Sequence, residues 1–136
     1  MRARLAAVAA TAVLGSGMLV SAPAAHAADP VSTFDVTVGN TYTRGTITWH
    51  NRSVTVAGEQ KSVSDTSCRG TTAFTLDSAN KQLGSHYSSQ TCGASEKFYP
   101  FVVPADVAGG AAVVRICLDD GGSPATYLSC KRYGRP

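Results

Sequence analysis

The sequence has few charged residues and no strong excess of either sign. Charged residues make up 15% of the chain, with 12 Lys and Arg against nine Asp and Glu. Through the middle of the chain the signs are interspersed, from Arg52 through Glu59 and Lys61 to Arg69. Because nucleic acids and anionic membranes are bound by concentrated positive patches, we expect no nucleic-acid partner and no stable membrane insertion. The one local basic cluster, residues 131–136, is interpreted as a solvated, frayed terminus.

The sequence is equally short of the motifs on which catalysis and metal binding depend. It has three histidines, and neither His50 nor His86 lies in a G-x-S-x-G elbow, an H-E-x-x-H helix or a papain-type cysteine motif. Asp119-Asp120 is a paired carboxylate in a Gly-rich turn that could bind Ca²⁺ weakly, although a solvated loop is the simpler interpretation. We therefore predict that the protein is not an enzyme and has no cofactor and no metal site.

The first residues are typical of a secretory signal peptide. A short basic start precedes the apolar run Leu5–Val20, and Ala25-His26-Ala27 fits a small-x-small cleavage site. The apolar run is too short and wrongly flanked for a membrane-spanning helix. We predict a cleaved signal peptide over residues 1–27 and a single secreted β domain over residues 28–136. Without the two leader arginines the secreted chain keeps ten basic and nine acidic residues, a net charge of +1.

All four cysteines follow the predicted leader, at positions 68, 92, 117 and 130. An even number of cysteines in an exported chain predicts two disulfides, with three pairings open. Residues 68 and 92 are centred on the polar turn 78–81, and residues 117 and 130 on the turn 119–124. We therefore expect the bridges Cys68–Cys92 and Cys117–Cys130, each clamping one hairpin. Pairings that join the two hairpins to each other remain the alternative.

Short runs of alternating apolar and polar residues, separated by Gly, Asn, Ser and Pro, fill most of the chain after the leader. The run KFYPFVVP contains Pro100, which favours an edge strand or a bulge. The one candidate for helical structure is a turn at residues 105–107. Period-two alternation in short segments predicts an all-β protein, either an immunoglobulin-like β-sandwich or a small antiparallel barrel with two disulfide-clamped hairpins.

The only tryptophan begins the stretch Trp49-His50-Asn51-Arg52. Trp49 alternates with Ile47 on one face of a predicted strand, so we expect the indole to pack in the core. The next residues then form a hairpin tip, with Asn51 suited to a positive-φ position. In the alternative interpretation, His50 and Arg52 project from this turn as a recognition site.

Tyrosines supply the other candidate binding residues. Four are expected to be exposed, and Tyr99 and Tyr127 join His50 and Arg52 as candidates for ligand binding. Aromatic surfaces suit sugar recognition, but scattered tyrosines are also ordinary residues of β-sheets. The tyrosines expected on the surface are Tyr87, Tyr99, Tyr127 and Tyr133.

Two stretches, GTITWHNRSVTVAG and FVVPADVAGGAAVVRICL, resemble small secreted actinobacterial β-sandwich proteins of unknown function. The resemblance implies an exported sandwich and transfers no active site. Amylase inhibitors from such bacteria are recognised by a Trp-Arg-Tyr triplet, whereas Lys131-Arg132-Tyr133 lacks the tryptophan.

Two functions follow as hypotheses from these observations. The first is a secreted, non-catalytic binding module for a cell-surface or glycan ligand, working as a monomer. The alternative is a proteinaceous inhibitor of a secreted protease or amylase. In that case the Cys117–Cys130 hairpin is the natural display loop.

Overall fold

The structure is a computed structural model that describes residues 27–64 and 66–136. The predicted signal peptide, residues 1–27, lies outside these residues except for Ala27. No helix of the described ranges is long and apolar enough to cross a membrane.

Nine strands form the regular structure of the described chain, which confirms the all-β prediction. They make two antiparallel sheets: β1-β2-β3-β7, and β5-β4-β8-β9 with β6 paired to the start of β4. Because β1 lies against β9 and β5 against β7, the sheets meet at both edges as a sandwich. The strands are β1 Val31–Val38, β2 Thr41–Trp49, β3 Ser53–Lys61, β4 Cys68–Leu76, β5 Gln82–Tyr87, β6 Thr91–Cys92, β7 Glu96–Pro104, β8 Val113–Asp119 and β9 Tyr127–Gly134.

The first three strands of the first sheet follow the order of the chain, and β7 pairs with β3. In an immunoglobulin constant domain the second strand lies between the first and the fifth, whereas here β2 lies between β1 and β3. The strand that contains Pro100, β7, closes this sheet as its edge. Its edge position agrees with the prediction from Pro100, since proline has no N–H to donate to a second neighbour.

The alternation of residues along β2 and β3 places large apolar side chains in one end of the core, as predicted. Ile47, Trp49, Val54 and Val56 are all fully buried. The Trp49 indole N–H donates to the Ser32 hydroxyl at 2.9 Å, so its one polar atom is paired inside the protein. Burying a side chain of this size contributes on the order of 3 kcal/mol.

Both disulfides join the predicted cysteines. Cys68 lies opposite Cys92 in register, and Cys117 opposite Cys130, with Cα atoms 4.1 Å and 4.0 Å apart. The β8–β9 bridge clamps a simple hairpin. The other bridge does not clamp β4 to β5, because β5 ends at Tyr87 and Cys92 lies on β6.

Three local expectations are wrong. Asn51 does not take the positive φ, which among non-glycine residues of the described chain belongs to Asn80 in the β4–β5 turn. Residues 105–107 form no helix. The terminus does not fray: β9 extends to Gly134, and the Arg135 N–H donates to the Ala112 carbonyl at 2.9 Å.

Candidate binding groove

The four predicted binding residues do not come together. His50 and Arg52 lie at the β2–β3 turn, at one end of the sandwich. Tyr127 begins β9 near the other end, and Tyr99 points into the core between the sheets. They therefore cannot form one site.

The side chains at the β2–β3 turn bind their own chain. The His50 ring nitrogens lie 2.5 Å from an Asp29 carboxylate oxygen and 2.8 Å from the Thr55 hydroxyl. Arg52 pairs with Asp106 at 2.5 Å. Both side chains are thus held in local contacts, which lessens their availability to a ligand.

The expected exposure of Tyr99 is wrong. Its side chain is 5% exposed, and its hydroxyl hydrogen-bonds to the buried Thr43 hydroxyl. Burial raises the pKa of Tyr99 to about 12, although hydrogen bonds from Thr43 and Thr71 lower it in part. Tyr99 belongs to the core and not to a binding surface.

Tyr133 is only half-exposed, because it closes the contact between β9 and β1. Its ring meets the edge of Phe34, and its hydroxyl accepts from the Asp35 N–H and donates to the Asp35 carbonyl, both at 3.0 Å. Burial raises the pKa of Tyr133 above its ordinary value. Of the four tyrosines expected on the surface, the two well exposed are Tyr87 at 72% and Tyr127 at 48%.

Tyr87 and Tyr127 line opposite sides of one groove on the outer face of the second sheet, which we name the tyrosine groove. It encloses about 380 Å³. Its floor comes from β4 and the end of β8, one wall from β5 and the segment after it, and the other from the β8–β9 turn. The side chains that line it include Thr72, Phe74, Ser85, Tyr87, Gln90, Asp119 and Tyr127.

The floor exists because β4 faces the core with its smaller side chains. Ala73 lies in the main core, whereas Phe74 and Leu76 form a separate cluster with Cys117 on the outer face. Phe74 stays 7% exposed there because other groups cover it. Its ring meets Tyr127 edge-on with centroids 5.8 Å apart, and the Arg115 guanidinium lies 4.2 Å from its centroid.

A bulge in β9 aims Tyr127 at the groove. Leu118 pairs with Ser129 but Asp119 pairs with Tyr127, so Leu128 is the extra residue. An extra residue reverses the alternation of the residues that precede it. Tyr127 thereby shares the outer face with Phe74.

The β8–β9 turn is built on its two aspartates. The Asp119 carboxylate is 2% exposed and accepts from the Thr72 hydroxyl at 2.7 Å and the Gly121 N–H at 2.8 Å. Backbone N–H groups of Thr126 and Gly122 lower the pKa of Asp120. For Asp119 the simple solvated-loop interpretation is wrong, since its carboxylate anchors the turn to β4.

A wider depression of about 810 Å³ lies on the outer face of the first sheet. Phe98, 67% exposed, lies beside it. Its charged side chains neutralise each other, with Arg44 and Glu59 paired at 2.6 Å. It therefore offers less to a polar ligand than the tyrosine groove does.

The sequence pointed to Tyr127 and Tyr87 and to Asp119 as part of a paired carboxylate, but not to Phe74 and Thr72 of the floor. A signal for the floor was present: Phe74 and Leu76 alternate with three small residues, Thr71, Ala73 and Thr75, so one face of β4 had to carry two large apolar groups. The pattern does not say which face is the outer one.

No protein-family model, curated protein or solved structure matches this chain. In the described ranges, no three His, Cys, Asp or Glu side chains lie close enough together to hold a metal ion.

Proposed function

We propose that the protein is a secreted, non-catalytic binding module whose tyrosine groove takes a glycan chain at a cell surface. The observation that carries this proposal is the pair of exposed tyrosines on facing walls, 72% and 48% exposed, above a floor of mixed polarity. Binding sites combine apolar and aromatic surface with a few placed polar groups. A sugar ring has one apolar face and a rim of hydroxyls, and the groove matches both.

The walls supply the apolar contact. A tyrosine ring buries a large area while its hydroxyl stays in water, and it loses little side-chain freedom on binding. Two such rings exposed on one concave surface leave apolar area in contact with water. A sugar stacked on the rings would remove that area from water. Tyr87 and Tyr127 are therefore the expected stacking residues.

The wall supplies the hydrogen bonds. The Asp119 carboxylate is buried, and both of its oxygens already accept a hydrogen bond from the protein. Ser85 and Gln90 add a hydroxyl and an amide to the wall. Glycoside hydrolysis needs two carboxyl groups, whereas Asp119 is the one acidic residue among the described residues that line the groove. This supports binding over hydrolysis.

Covalent and polar links hold the groove in shape. Cys117–Cys130 joins the strands that lead into the β8–β9 turn, and Cys68–Cys92 fixes the end of the opposite wall. A site formed before the ligand arrives loses less entropy on binding. The two bridges therefore favour a recognition role.

Export is part of the proposal. The leader over residues 1–27 and two disulfides among the described residues both support an oxidising, extracellular setting. The resemblance to secreted actinobacterial β-proteins agrees with it. We expect the protein in the culture medium to begin at or near Ala28, as read by intact-mass spectrometry; a species that keeps Met1 or free thiols would contradict export.

The groove is tested by binding to polysaccharides with three matched variants. Purified, disulfide-bonded protein is mixed with insoluble peptidoglycan, chitin and cellulose, and the bound fraction is measured. We expect at least one polymer to retain the protein, and Tyr87→Ala and Tyr127→Ala each to weaken retention about tenfold, equivalent to ~1.4 kcal/mol.

Phe98→Ala is the control, since it removes an exposed aromatic ring from the other sheet. Its retention should equal that of the unsubstituted protein. Equal losses in all three variants, or retention that survives both tyrosine substitutions, would move the site away from the groove.

The alternative function is inhibition of a secreted hydrolase through the β8–β9 turn. That turn packs back on the molecule: a Cβ at Gly121 would lie 2.8 Å from the Gln90 Cβ. An inhibitor loop has to extend into an enzyme cleft, so we rank this function second. Inhibition of a panel of subtilisins and amylases at micromolar protein, with no polysaccharide retained, would reverse the order.

A further inference from the structure

Beyond the end of the tyrosine groove, two arginines face the same side of the second sheet. Arg115 on β8 lies directly opposite Arg132 on β9. Directly opposed residues of antiparallel strands have Cβ atoms ~4.5–5.5 Å apart, and like charges on such a pair of residues are destabilising. No ion pair joins either arginine to a carboxylate in the part of the chain that the structure describes.

Arg115 connects this pair to the groove. Its guanidinium lies 4.2 Å from the centroid of Phe74, which forms part of the groove floor. The Arg115 Nε is buried and has no hydrogen-bond partner. A buried donor without a partner is unfavourable, so Arg115 lacks a contact that an acceptor could supply.

Arg132 is exposed, and its guanidinium donates to the side-chain oxygen of Asn80 in the β4–β5 turn. This neutral partner positions the group without cancelling its charge. Arg115 and Arg132 thus place two cationic side chains on paired positions of adjacent strands, at one end of the groove.

We propose that the glycan bound in the tyrosine groove is acidic, and that an oxyanion on it lies between Arg115 and Arg132. This inference rests on the proposed function of the groove. A carboxylate or phosphate accepts paired hydrogen bonds from a planar guanidinium. An anion held there relieves the repulsion between the two cations and supplies the acceptor that Arg115 lacks.

The positions along the strands fit one ligand spanning both features. Asp119 and Tyr127 form the row at one end, and Arg115 and Arg132 lie two outward-facing rows away. Four residues along a strand cover roughly 13 Å. That distance corresponds to a short run of linked sugars, with one sugar stacked on Tyr127 and the anionic group at the arginines.

The test compares one oligosaccharide with its negative charges intact and with the same charges removed. An oligogalacturonide and its full methyl ester are titrated against the disulfide-bonded protein by calorimetry. We expect the acid to bind about tenfold more tightly than the ester at low salt, with the difference shrinking as salt rises. A teichoic-type polyol phosphate replaces the uronide in a second arm, and the tighter probe identifies the anion as carboxylate or phosphate.

Arg115→Gln and Arg132→Gln should each bring the acid close to the affinity of the ester, and Arg132→Gln should leave ester binding unchanged. Lys131→Gln is the matched control, because it removes the same charge one residue away, where the side chain lines the depression on the first sheet. Arg115→Lys keeps the charge but not the fork, and should recover part of the lost affinity. Circular dichroism verifies that each variant is folded.

The outcomes separate the two proposals. Acid and ester that bind equally, with both dependent on Tyr127, overturn the acidic ligand and leave the groove standing. Equal effects of Arg132→Gln and Lys131→Gln would also overturn the acidic ligand, since they would show that binding depends on the net charge of the protein and not on the position of Arg132. Binding of neither probe class, or binding independent of Tyr127, counts against the groove itself.

Discussion

The two halves of the core are held together by different forces. Along the inner face of β2 and β3, one half consists of Ile47, Trp49, Val54 and Val56, all fully buried. The other half holds buried polar side chains joined by hydrogen bonds: Thr43, Gln60, Thr71, Ser88, Thr91 and Tyr99. We name them the apolar half and the polar half.

Gln60 is the centre of the polar half. Its amide nitrogen donates to the Ser89 carbonyl at 2.6 Å and the Thr91 hydroxyl at 2.9 Å. Its amide oxygen accepts from Thr71 at 2.8 Å and Ser88 at 2.7 Å. One side chain thus ties β3 to β4 and to the segment that forms a wall of the groove.

A pair of glycines marks the boundary. Gly45 lies opposite Gly58, with Phe34 and Tyr99 as the outer members of the same row. A Cβ at Gly45 would lie 2.1 Å from the Ala57 carbonyl oxygen, so the backbones leave no room for a side chain. Apolar packing, which has no direction, continues into both halves, since Val36 pairs with Thr43 and Leu118 with Thr71. Directional bonds fix the geometry of the half under the groove.

Removing the largest side chain of the apolar half should have the greatest effect. Trp49→Ala loses buried area, leaves a cavity and removes the partner of Ser32. We expect a loss of about 3–5 kcal/mol of unfolding free energy, measured by urea denaturation followed by far-ultraviolet circular dichroism. Trp49→Phe, which retains most of the apolar volume, should lose less; a variant that keeps full stability but fails to bind polysaccharide would make this corner the site.

Removing the centre of the polar half should rank second. Gln60→Leu keeps the size of the side chain but leaves buried hydroxyls and the Ser89 carbonyl without their partner, at about 2–4 kcal/mol. Tryptophan fluorescence during urea denaturation gives the value. We also expect weaker glycan binding, because the groove wall loses its anchor. If the variant were as stable as the unsubstituted protein, the network would not hold this half together.

Alkaline pH should weaken the polar half selectively. The Tyr99 pKa of about 12 lies above its ordinary value of 10.0, so the unfolded chain loses this proton first as pH rises. The stabilisation is complete below pH ~10 and falls by about 2–3 kcal/mol as pH approaches 12. Tyr133 adds a contribution of the same sign. Denaturation across this pH range should show a smaller decline in Tyr99→Phe; an identical decline would exclude Tyr99 as the cause.

The smallest effect is expected at the rim of the apolar half. His50→Ala removes two partly exposed hydrogen bonds, to Asp29 and Thr55, and should cost no more than about 1 kcal/mol. Thermal denaturation at neutral pH measures it. A loss of stability as large as that of Trp49→Ala would mean that His50 contributes to stability as a core residue does, which would contradict its position in the structure.

The sequence predicted the apolar half well and the polar half poorly. Alternation placed Trp49 and Val54 inside because large apolar groups have one stable location in a sandwich. Tyr99 was expected on the surface, because its neighbours in the sequence do not show that the Thr43 hydroxyl lies in the core as its hydrogen-bond partner. Hydrogen-bond partners distant in sequence are set by the pairing of strands, which local patterns do not contain.

The candidate site follows the same division. The disulfides were predictable because each pair is symmetric about a turn. The floor of the groove was not predictable, because β4 turns the small Ala73 toward the core and the large, apolar Phe74 toward the outer face. The usual preference is for the larger apolar side chain to face the core. Such a choice depends on what β8 and β9 place on the outer face, here the Cys117–Cys130 bridge, Arg115 and Tyr127.

The contact between β1 and β9 also determines when the protein can finish folding. Tyr133 bonds to Asp35, 98 residues earlier, and the Arg135 guanidinium donates to the carbonyls of His50 and Gly109. A chain that leaves the ribosome from its amino end has all of β1 to β8 available before these partners emerge, yet one edge of the sandwich stays open. Closure of this edge therefore waits until β9 and Arg135 have been synthesised.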